Sequence, residues 1–550
     1  MINLRLSACF LLSLLLLGNL SSFAAKKPLK TVGRPDAPQN GVFLFNLQSG
    51  PTTLNPLTST DFYASQVQSY IVEGLLERNI DTYEFEPALA TDWKISKDGL
   101  KYDFTLRPGV KWHDGKPLTA EDVKFSFDAI FDPQFKTAHM RPYYENIKEV
   151  KILSKNKIRF IAKRKYFKNF SVCATISVLP KHIYMNPSKK QMKKLNKTLI
   201  GTGPYILDKY IRGKKLVLKK NPNWWGNKAP HLKGVHNYKK YLMKFVKDET
   251  ISIEMLKKGN LDYIGLGAEA FIKKTGGSVW GKRVHKIKVE NSSVKGYGFI
   301  GWNLTNPLFK SKKTRLALYK LVNRQLMIDK FLFKLSEPAI GPLYRTSDYA
   351  PKDVKPVMYD PKGALRLLKK DGWEDSDGDQ ILDKVIDGKR VKFSFTILEP
   401  LQDFIKYLTI FKEDAQKMGI EVKIKFVEWN TFIKLLDERK FEAVRLAWGG
   451  GSIDWDPKQI WHSSSIKGGS NFIGYSNPKV DKLIDQARST MDREKRKKML
   501  YQVFKMIADD VPYVFFFNRK FSLYAHTKRM ERVKDTYKYG VGTPYWWISK

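Results

Sequence analysis

The sequence predicts an α/β protein with more than one domain. Segments with helical spacing of apolar residues alternate with short strand-like segments, which predicts sheets covered by helices. The chain has 550 residues, and 42% of them are apolar and 28% charged, as in folded globular proteins. A chain of this length accommodates roughly three to four average domains. The composition excludes a mainly disordered, collagen-like or coiled-coil protein.

Period-two alternation or short apolar runs predict the strands, and three- and four-residue spacing predicts the helices. Strands are expected over residues 42–47, 101–106, 157–161, 215–219, 391–397, 422–427 and 513–517. Helices are expected over residues 62–77, 119–130, 311–323, 360–370, 403–418 and 492–508. Thr119 and Asp122 resemble a capping box, and Pro478 after Asn477 indicates one more helix start.

Residues 1–25 have the organisation of a secretory signal peptide. Arg5 precedes the apolar run 10–17, and small residues follow at the cleavage positions. The run is too short to span a bilayer, which takes about 20 apolar residues. Cys9 is no lipidation site, because it precedes most of the apolar run. We therefore expect a periplasmic chain whose remaining thiol, Cys173, is a small buried packing residue.

The chain is strongly basic, with 98 Lys and Arg residues against 55 Asp and Glu residues and a formal net charge of +43. The basic residues are distributed along the whole chain, and no nucleic-acid-binding motif accompanies them. We therefore predict no binding of nucleic acid. The charge instead indicates a solvated cationic surface that attracts anionic parts of the cell envelope.

Motifs of known catalytic chemistry are missing from the sequence. It contains no His-Glu-x-x-His helix, no Gly-x-Ser-x-Gly elbow and no phosphate-binding P-loop. No enzymatic activity and no cofactor are predicted.

One acidic segment has the spacing of a calcium loop. Aspartates occupy its positions 1, 3, 5 and 9, namely Asp375, Asp377, Asp379 and Asp383. Gln380 stands where the turn requires glycine, and Ile386 stands where a bidentate glutamate belongs. An acidic surface turn is the favoured interpretation, and a weak calcium site is the alternative.

Several separated segments resemble one family. These are residues 49–56 (SGPTTLNP), 102–123 (YDFTLRPGVKWHDGKPLTAEDV), 201–205 (GTGPY) with 221–225 (NPNWW), and 303–319 with Asn303, Pro307 and the run RLALY. They are similar to the periplasmic solute-binding proteins of peptide and dipeptide ABC importers, solute-binding family 5. Within residues 110–115 the Asp-Gly pair indicates a turn, so we expect this best-matching segment to be structural.

The resemblance implies a two-lobed periplasmic-binding-protein (clamshell) fold with an extra subdomain and mixed sheets. Lobe 1 is expected to be discontinuous, and the expected segments are lobe 1 (41–60, 188–288 and 521–550), the extra subdomain (61–187) and lobe 2 (289–520). The implied function is that of a monomeric substrate-binding component of an ABC transporter. It would capture a peptide by its main chain between the lobes and deliver it to an inner-membrane permease complex.

The resemblance also implies where the ligand binds. Asp454 is the expected partner of the peptide ammonium group, with Asp456 as the alternative, and Arg445 is expected to hold a carboxylate. Trp448, Trp455 and Trp302 are either pocket walls or core residues. The remaining expected ligand-binding residues are Gly449, Gly450, Asn303, Thr60 and Phe62.

Two alternatives remain open. The same scaffold could bind another solute, such as a nickel chelate, haem or an oligosaccharide, with His462 as the histidine nearest the predicted anchor. A less favoured alternative is an envelope hydrolase that uses Asp454 and Asp456.

Overall fold

The computed structural model describes residues 29–467 and 469–549, and it confirms the predicted α/β class. The predicted signal peptide lies outside this part of the chain. In the described part, no helix is both long and apolar enough to cross a membrane. Three larger sheets organise the molecule, and each has its own hydrophobic core.

The sheet of lobe 1 has seven strands and joins distant parts of the chain. Its strand order is Val284–Val289, Ser522–Thr527, Tyr263–Gly265, Val42–Asn46, Lys240–Lys244, Lys215–Lys220 and Tyr205–Ile211. The first strand of the chain lies inside the sheet and pairs in parallel with both neighbours, whereas the remaining pairs are antiparallel. Buried aromatic rings such as Phe43, Tyr238 and Tyr241 fill the core beneath it.

The sheet of lobe 2 has five strands, in the order Glu421–Phe426, Ser394–Glu399, Ala443–Trp448, Tyr297–Trp302 and Tyr513–Phe515. The first three strands run parallel, and the last two join by antiparallel pairing. The largest hydrophobic cluster of the described chain packs around this sheet. The strand that carries Arg445 and Trp448 therefore lies in the middle of a rigid layer.

The subdomain contains a four-stranded antiparallel sheet with the order Ala90–Ile95, Lys101–Leu106, Lys157–Ala162 and Ile147–Ser154. The helix Ala120–Phe131 packs on it and begins at the capping box that the sequence predicts. Trp112 and Cys173 are buried in the core of this subdomain. The expected packing role of Cys173 is thus confirmed, and the burial of Trp112 agrees with the structural role expected for residues 110–115.

Helices and short ribbons complete the fold. The α-helices are Phe62–Gln68, Ala120–Phe131, Arg141–Tyr144, Asn169–Ala174, Lys181–Tyr184, Lys189–Leu195, Glu249–Lys257, Ala268–Lys273, Lys312–Lys320, Arg324–Phe331, Pro361–Lys370, Ile405–Gln416, Trp429–Asp437, Lys458–Trp461, Pro478–Ser489 and Arg493–Asp510. Two-stranded ribbons pair Leu76–Arg78 with Phe85–Pro87, Ser336–Pro338 with Phe517–Arg519, Asp383–Ile386 with Lys389–Lys392, and Met530–Glu531 with Trp547–Ile548.

The predicted helix over residues 62–77 is too long. The observed helix ends at Gln68, because the carbonyl groups of Tyr70 and Ile71 accept hydrogen bonds from the backbone of Tyr205 and Gly203. A β-like contact with a distant segment thus replaces two further helical turns. The predicted strand 391–397 is likewise divided at Phe393, and its halves belong to different sheets.

Candidate functional site

One strand of the lobe 2 sheet has an edge that is unpaired over part of its length. The strand Ala443–Trp448 pairs over its whole length with Tyr297–Trp302. On its other side, the strand Ser394–Glu399 is aligned only with Ala443 and Val444. From Leu446 onwards, the backbone therefore has no strand neighbour on that side. Such an edge can pair with an additional extended chain.

The glycine segment 449–451 continues this edge. A Cβ atom would meet no heavy atom within 4 Å at Gly449 or Gly451, whereas at Gly450 it would lie 1.8 Å from the carbonyl oxygen of Val294. Among the described residues, the backbone N–H groups of 449–453 find no hydrogen-bond acceptor. Gly450 packs against the backbone of Val294, which fixes the segment on that side. The backbone N–H groups of the segment are therefore available to a ligand.

The two predicted anchor aspartates have different surroundings. Asp454 is half-buried, and its Oδ1 accepts a hydrogen bond of 2.9 Å from the hydroxyl of Tyr349. Asp456 has a fully buried side chain. Its Oδ2 accepts from the Tyr166 hydroxyl at 2.5 Å and from Arg488 Nη1 at 2.9 Å, and its Oδ1 accepts from a backbone N–H. Asp456 is committed to protein partners, and Asp454 keeps one carboxylate oxygen uncommitted.

Arg445 already has a carboxylate partner within the protein. Its Nε donates to Glu399 Oε2 at 2.6 Å, its Nη2 donates to the other oxygen, and its guanidinium lies 3.9 Å from the ring centre of Phe404. Burial raises the pKa of Glu399, and the positive charge of Arg445 opposes that shift. The carboxylate that Arg445 was expected to take from a ligand is thus supplied by Glu399, a residue that sequence reasoning missed.

The three tryptophans separate into two groups. Trp448 is half-buried and packs on Phe299 and Phe472, so part of its ring stays accessible beside the glycine segment. Trp302 and Trp455 are buried in the core of lobe 2. Their burial favours the core-residue alternative for these two tryptophans.

Asn303 is also a structural residue in this fold. Its Nδ2 donates to the carbonyl of Phe441 and its Oδ1 accepts from Thr305, so both ends of the amide are engaged. The expected role of Asn303 in ligand binding is not supported, because its polar atoms close a turn after the strand Tyr297–Trp302.

The helix Phe62–Gln68 brings the lobe 1 candidates to the surface. Thr60 and Phe62 are exposed, and Asp61 caps the helix by accepting from the backbone of Ala64. Tyr63, which was not predicted, is the residue of this turn that reaches lobe 2: its ring lies edge-on to Trp429 with 5.5 Å between centroids.

The subdomain approaches lobe 2 on the other side. Besides the bond from Tyr166 to Asp456, the hydroxyl of Tyr143 donates to Gln459 at 2.6 Å. Lys168 lies next to these residues, and burial lowers its pKa while Asp456 and Asp454 oppose that shift. Sequence reasoning missed these residues, because no local pattern shows which residues meet across domains.

The calcium-like loop brings together only three of its four aspartates. Asp375, Asp377 and Asp379 are exposed and close enough to share an ion. Asp383 instead accepts from Ser376 at 2.7 Å and pairs with Arg390, so it is not a ligand of such a site. Lys392 pairs with Asp377 and Asp379. These contacts favour the acidic surface turn that the sequence suggested.

His462 does not offer a free imidazole. Its Nδ1 accepts from the backbone N–H of Ser464 at 3.0 Å, and its Nε2 lies 3.4 Å from Asp485. The hydrolase hypothesis finds no support either, because the carboxylate of Asp456 is neutralised by Arg488 and shielded by the subdomain. The arrangement is suited to binding rather than to acid–base chemistry.

Comparison with known proteins agrees with this geometry. The family model described as bacterial extracellular solute-binding proteins, family 5 Middle, matches residues 84–471. The oligopeptide-binding protein AppA of Bacillus subtilis (strain 168) is 30% identical over 97% of this chain and 95% of its own. The dipeptide-binding protein of Escherichia coli (strain K12) is 26% identical over 84% of this chain and 87% of its own.

Solved structures show the same architecture. AppA from Bacillus subtilis in complex with a nonapeptide superposes with a TM-score of 0.84 at 28% identity and covers 94% of this chain and 100% of its own. NikZ from Campylobacter jejuni in complex with Ni(L-His) gives a TM-score of 0.76 at 26% identity, over 93% of this chain and 100% of its own.

Proposed function

The chain belongs to the bacterial extracellular solute-binding proteins of family 5, and we propose that it captures peptides between its two lobes for an ABC importer. The observation that carries this proposal is the free edge after Val444 together with the open glycine segment. A peptide in extended conformation would add to this edge through its main chain. Such binding tolerates many side chains, since backbone groups are common to all peptides.

The position of the peptide follows from the residues around the edge. Asp454 would pair with the ammonium group through its free oxygen, while Tyr349 holds the carboxylate in place. Trp448 would contact a side chain of the ligand, and Gly449 and Gly451 would let the two backbones approach closely. The exposed Thr60 and Phe62 would offer contacts from lobe 1.

The proposed mechanism involves binding and closure without covalent chemistry. Lys247 of lobe 1 pairs with Glu428 of lobe 2, and Glu269 pairs with Lys406. A ligand that contacts both lobes favours the closed form in which these pairs exist, and the permease would recognise that form. The segment boundaries expected from the sequence, export by a cleaved signal peptide and a monomeric state are parts of the same proposal.

Native mass spectrometry of protein purified after export, without refolding, tests this function. We expect a mixture of short peptides to co-purify, and calorimetric titration of one of them into ligand-free protein should give one site per chain. Intact recovery of the peptide after prolonged incubation should show that the protein does not cleave it.

The preformed nickel–histidine chelate is the matched competitor in this experiment, because NikZ is solved with that ligand. Tight binding of the chelate without any peptide binding would contradict the proposal, as would hydrolysis of the peptide.

The formal charge of +43 supports a second, weaker part of the proposal: adsorption to anionic envelope surfaces. Exposed charges are screened over about 8 Å at physiological salt, whereas a partly buried anchor is screened less. We expect added salt to release the protein from anionic vesicles while peptide affinity changes little. Equal loss of both would place the surface charge in the peptide site.

A further inference from the structure

An open cavity with a volume of about 380 Å³ lies between lobe 1 and the subdomain. Its walls are the turn after the helix Phe62–Gln68, the end of the strand Leu76–Arg78 with the turn that follows it, the segments around Trp224 and 232–236, and the segment 539–545. Five aromatic side chains line it, namely Tyr70, Tyr83, Trp224, Tyr539 and Tyr545. None of the peptide contacts proposed above uses this cavity.

The cavity contains an unpaired carboxylate. Glu77 lines it and makes no hydrogen bond or ion pair with any residue in the described part of the chain. Glu86 is its direct neighbour across the ribbon. The side chain of Glu77 is exposed to solvent at the open cavity. Desolvation by the surrounding protein, together with the negative charges of Glu73 and Glu86, raises its pKa to about 8. The surplus of negative charge is unusual in a chain that is so basic overall.

The cationic side chains nearby are engaged elsewhere. Arg78 donates from Nη1 to the carbonyl of Tyr83 at 2.6 Å and lies 3.5 Å from the ring centre of Phe85. Arg107 donates to the carbonyl of Ala88 and stacks 4.0 Å from the ring centre of Trp225. Arg107 therefore acts on Glu77 only through space, and no cationic side chain of residues 29–467 or 469–549 pairs with the Glu77 carboxylate.

We propose that this cavity binds an ammonium or guanidinium group. Aromatic rings attract organic cations through their negative faces. A cation bound beside Glu77 would lower the raised pKa of this group, so that the ionised carboxylate supplies the matching charge. An anionic group would be repelled by Glu77, Glu86 and Glu73. A neutral apolar group would leave the Glu77 carboxylate without a partner.

The surroundings of the cavity favour one source for this cation, namely a basic side chain of the bound peptide. This choice of ligand rests on the proposed function. The charge of Asp454 acts on Arg78 at the cavity wall, and Tyr344 of lobe 2 interacts electrostatically with Tyr83 and Tyr539. These interactions place the Arg78 wall of the cavity on the side of the proposed anchor, so the side chain that would enter it is one close to the N-terminus of the ligand.

Paired peptides that differ only in arginine or citrulline near the N-terminus test this inference, because citrulline has the same shape without the charge. We expect the wild type to bind the arginine peptide at least tenfold more tightly in calorimetric titration. Glu77→Gln should reduce this preference to less than threefold while affinity for the citrulline peptide stays the same. Glu438→Gln, an exposed surface change beside Lys440, should keep the preference.

A second titration, with N-acetyl-argininamide and N-acetyl-citrullinamide, tests the cavity without a peptide. If N-acetyl-argininamide binds the wild type and Glu77→Gln abolishes this binding, the inference is supported for a free cation. This holds even if no peptide binds and the proposed function fails. Thermal unfolding of Glu77→Gln and of the second variant Glu86→Gln checks that both fold. The inference is overturned if neither the arginine preference nor binding of the amide depends on Glu77.

Discussion

Asp454 and Asp456 lie two residues apart in one segment of lobe 2, but they have opposite surroundings. Asp456 is enclosed by Tyr166, Arg488 and a backbone N–H, and it joins lobe 2 to the subdomain. Within the described part of the chain, the carboxylate of Asp454 accepts one hydrogen bond, from Tyr349. Asp456 therefore connects lobe 2 to the subdomain, whereas Asp454 stays available to a ligand. The number of protein partners, rather than the residue type, distinguishes the anchor candidate from the structural residue.

The neighbouring glycines show the same division. Gly450 is pressed against the backbone of Val294, whereas Gly449 and Gly451 face open space. One glycine is required by the packing of the protein, and the other two leave room for a ligand.

The largest expected effect is on stability at Asp456. Asp456→Ala leaves Arg488 buried without its counter-charge, and breaking a buried pair costs about 3–5 kcal/mol. Chemical denaturation should show a loss of unfolding free energy in this range. The matched control, Asp454→Ala, should change it by less than about 1 kcal/mol, as for a residue outside such a pair. Similar losses in both variants would remove the distinction between the two aspartates.

A smaller loss of stability is expected at Gly450. A Cβ atom at Gly450 would lie 1.8 Å from the Val294 oxygen, and such overpacking costs about 1–3 kcal/mol. Gly449→Ala should leave stability unchanged and weaken peptide binding instead, because its side chain would occupy the open space. Thermal unfolding measures the stability of both variants, and peptide titration measures their affinity. A Gly450→Ala protein as stable as the wild type would contradict the packing role of Gly450.

At Asp454 the expected effect is on affinity. Hydrogen bonds to charged groups contribute about 1.5–3 kcal/mol, so Asp454→Ala should weaken peptides with a free N-terminus roughly tenfold to a hundredfold. N-acetylated peptides, which lack the ammonium charge, should bind the variant and the wild type about equally. Calorimetric titration of both peptide forms measures the difference, and equal weakening of both would exclude Asp454 as the anchor.

The smallest effect is expected from Tyr166→Phe, which removes one hydrogen bond to Asp456 and leaves Arg488 in place. A loss of about 1 kcal/mol in unfolding free energy is the usual size for one such bond. Tyr349→Phe is the counterpart at Asp454, and it should alter peptide affinity more than stability. If Tyr349→Phe destabilised the protein more than Tyr166→Phe does, the assignment of a structural role to Asp456 and a binding role to Asp454 would be contradicted.

Much of the fold was predictable because its signals are local. The capping box at Thr119, the helix start at Asn477 and the alternating strand Lys101–Leu106 depend on neighbouring residues only, and the structure contains all three. The candidate site was predictable in part. Resemblance selected the candidate segment of lobe 2, but Trp302, Trp455 and Asn303 were included among its ligand-binding residues although they pack in the core or close a turn.

The sequence alone determined the α/β class, the positions of several strands and helices and the overall charge, since hydrophobic spacing and composition depend only on residues close in the chain. Tertiary structure decided which residues remain available. Glu399 neutralises Arg445 across 46 positions, Arg488 captures Asp456 across 32, and a contact with Tyr205 ends the helix at Gln68. Such pairings depend on which distant strands and domains come into contact. A charged side chain is free for a ligand only where these tertiary contacts leave it without a partner.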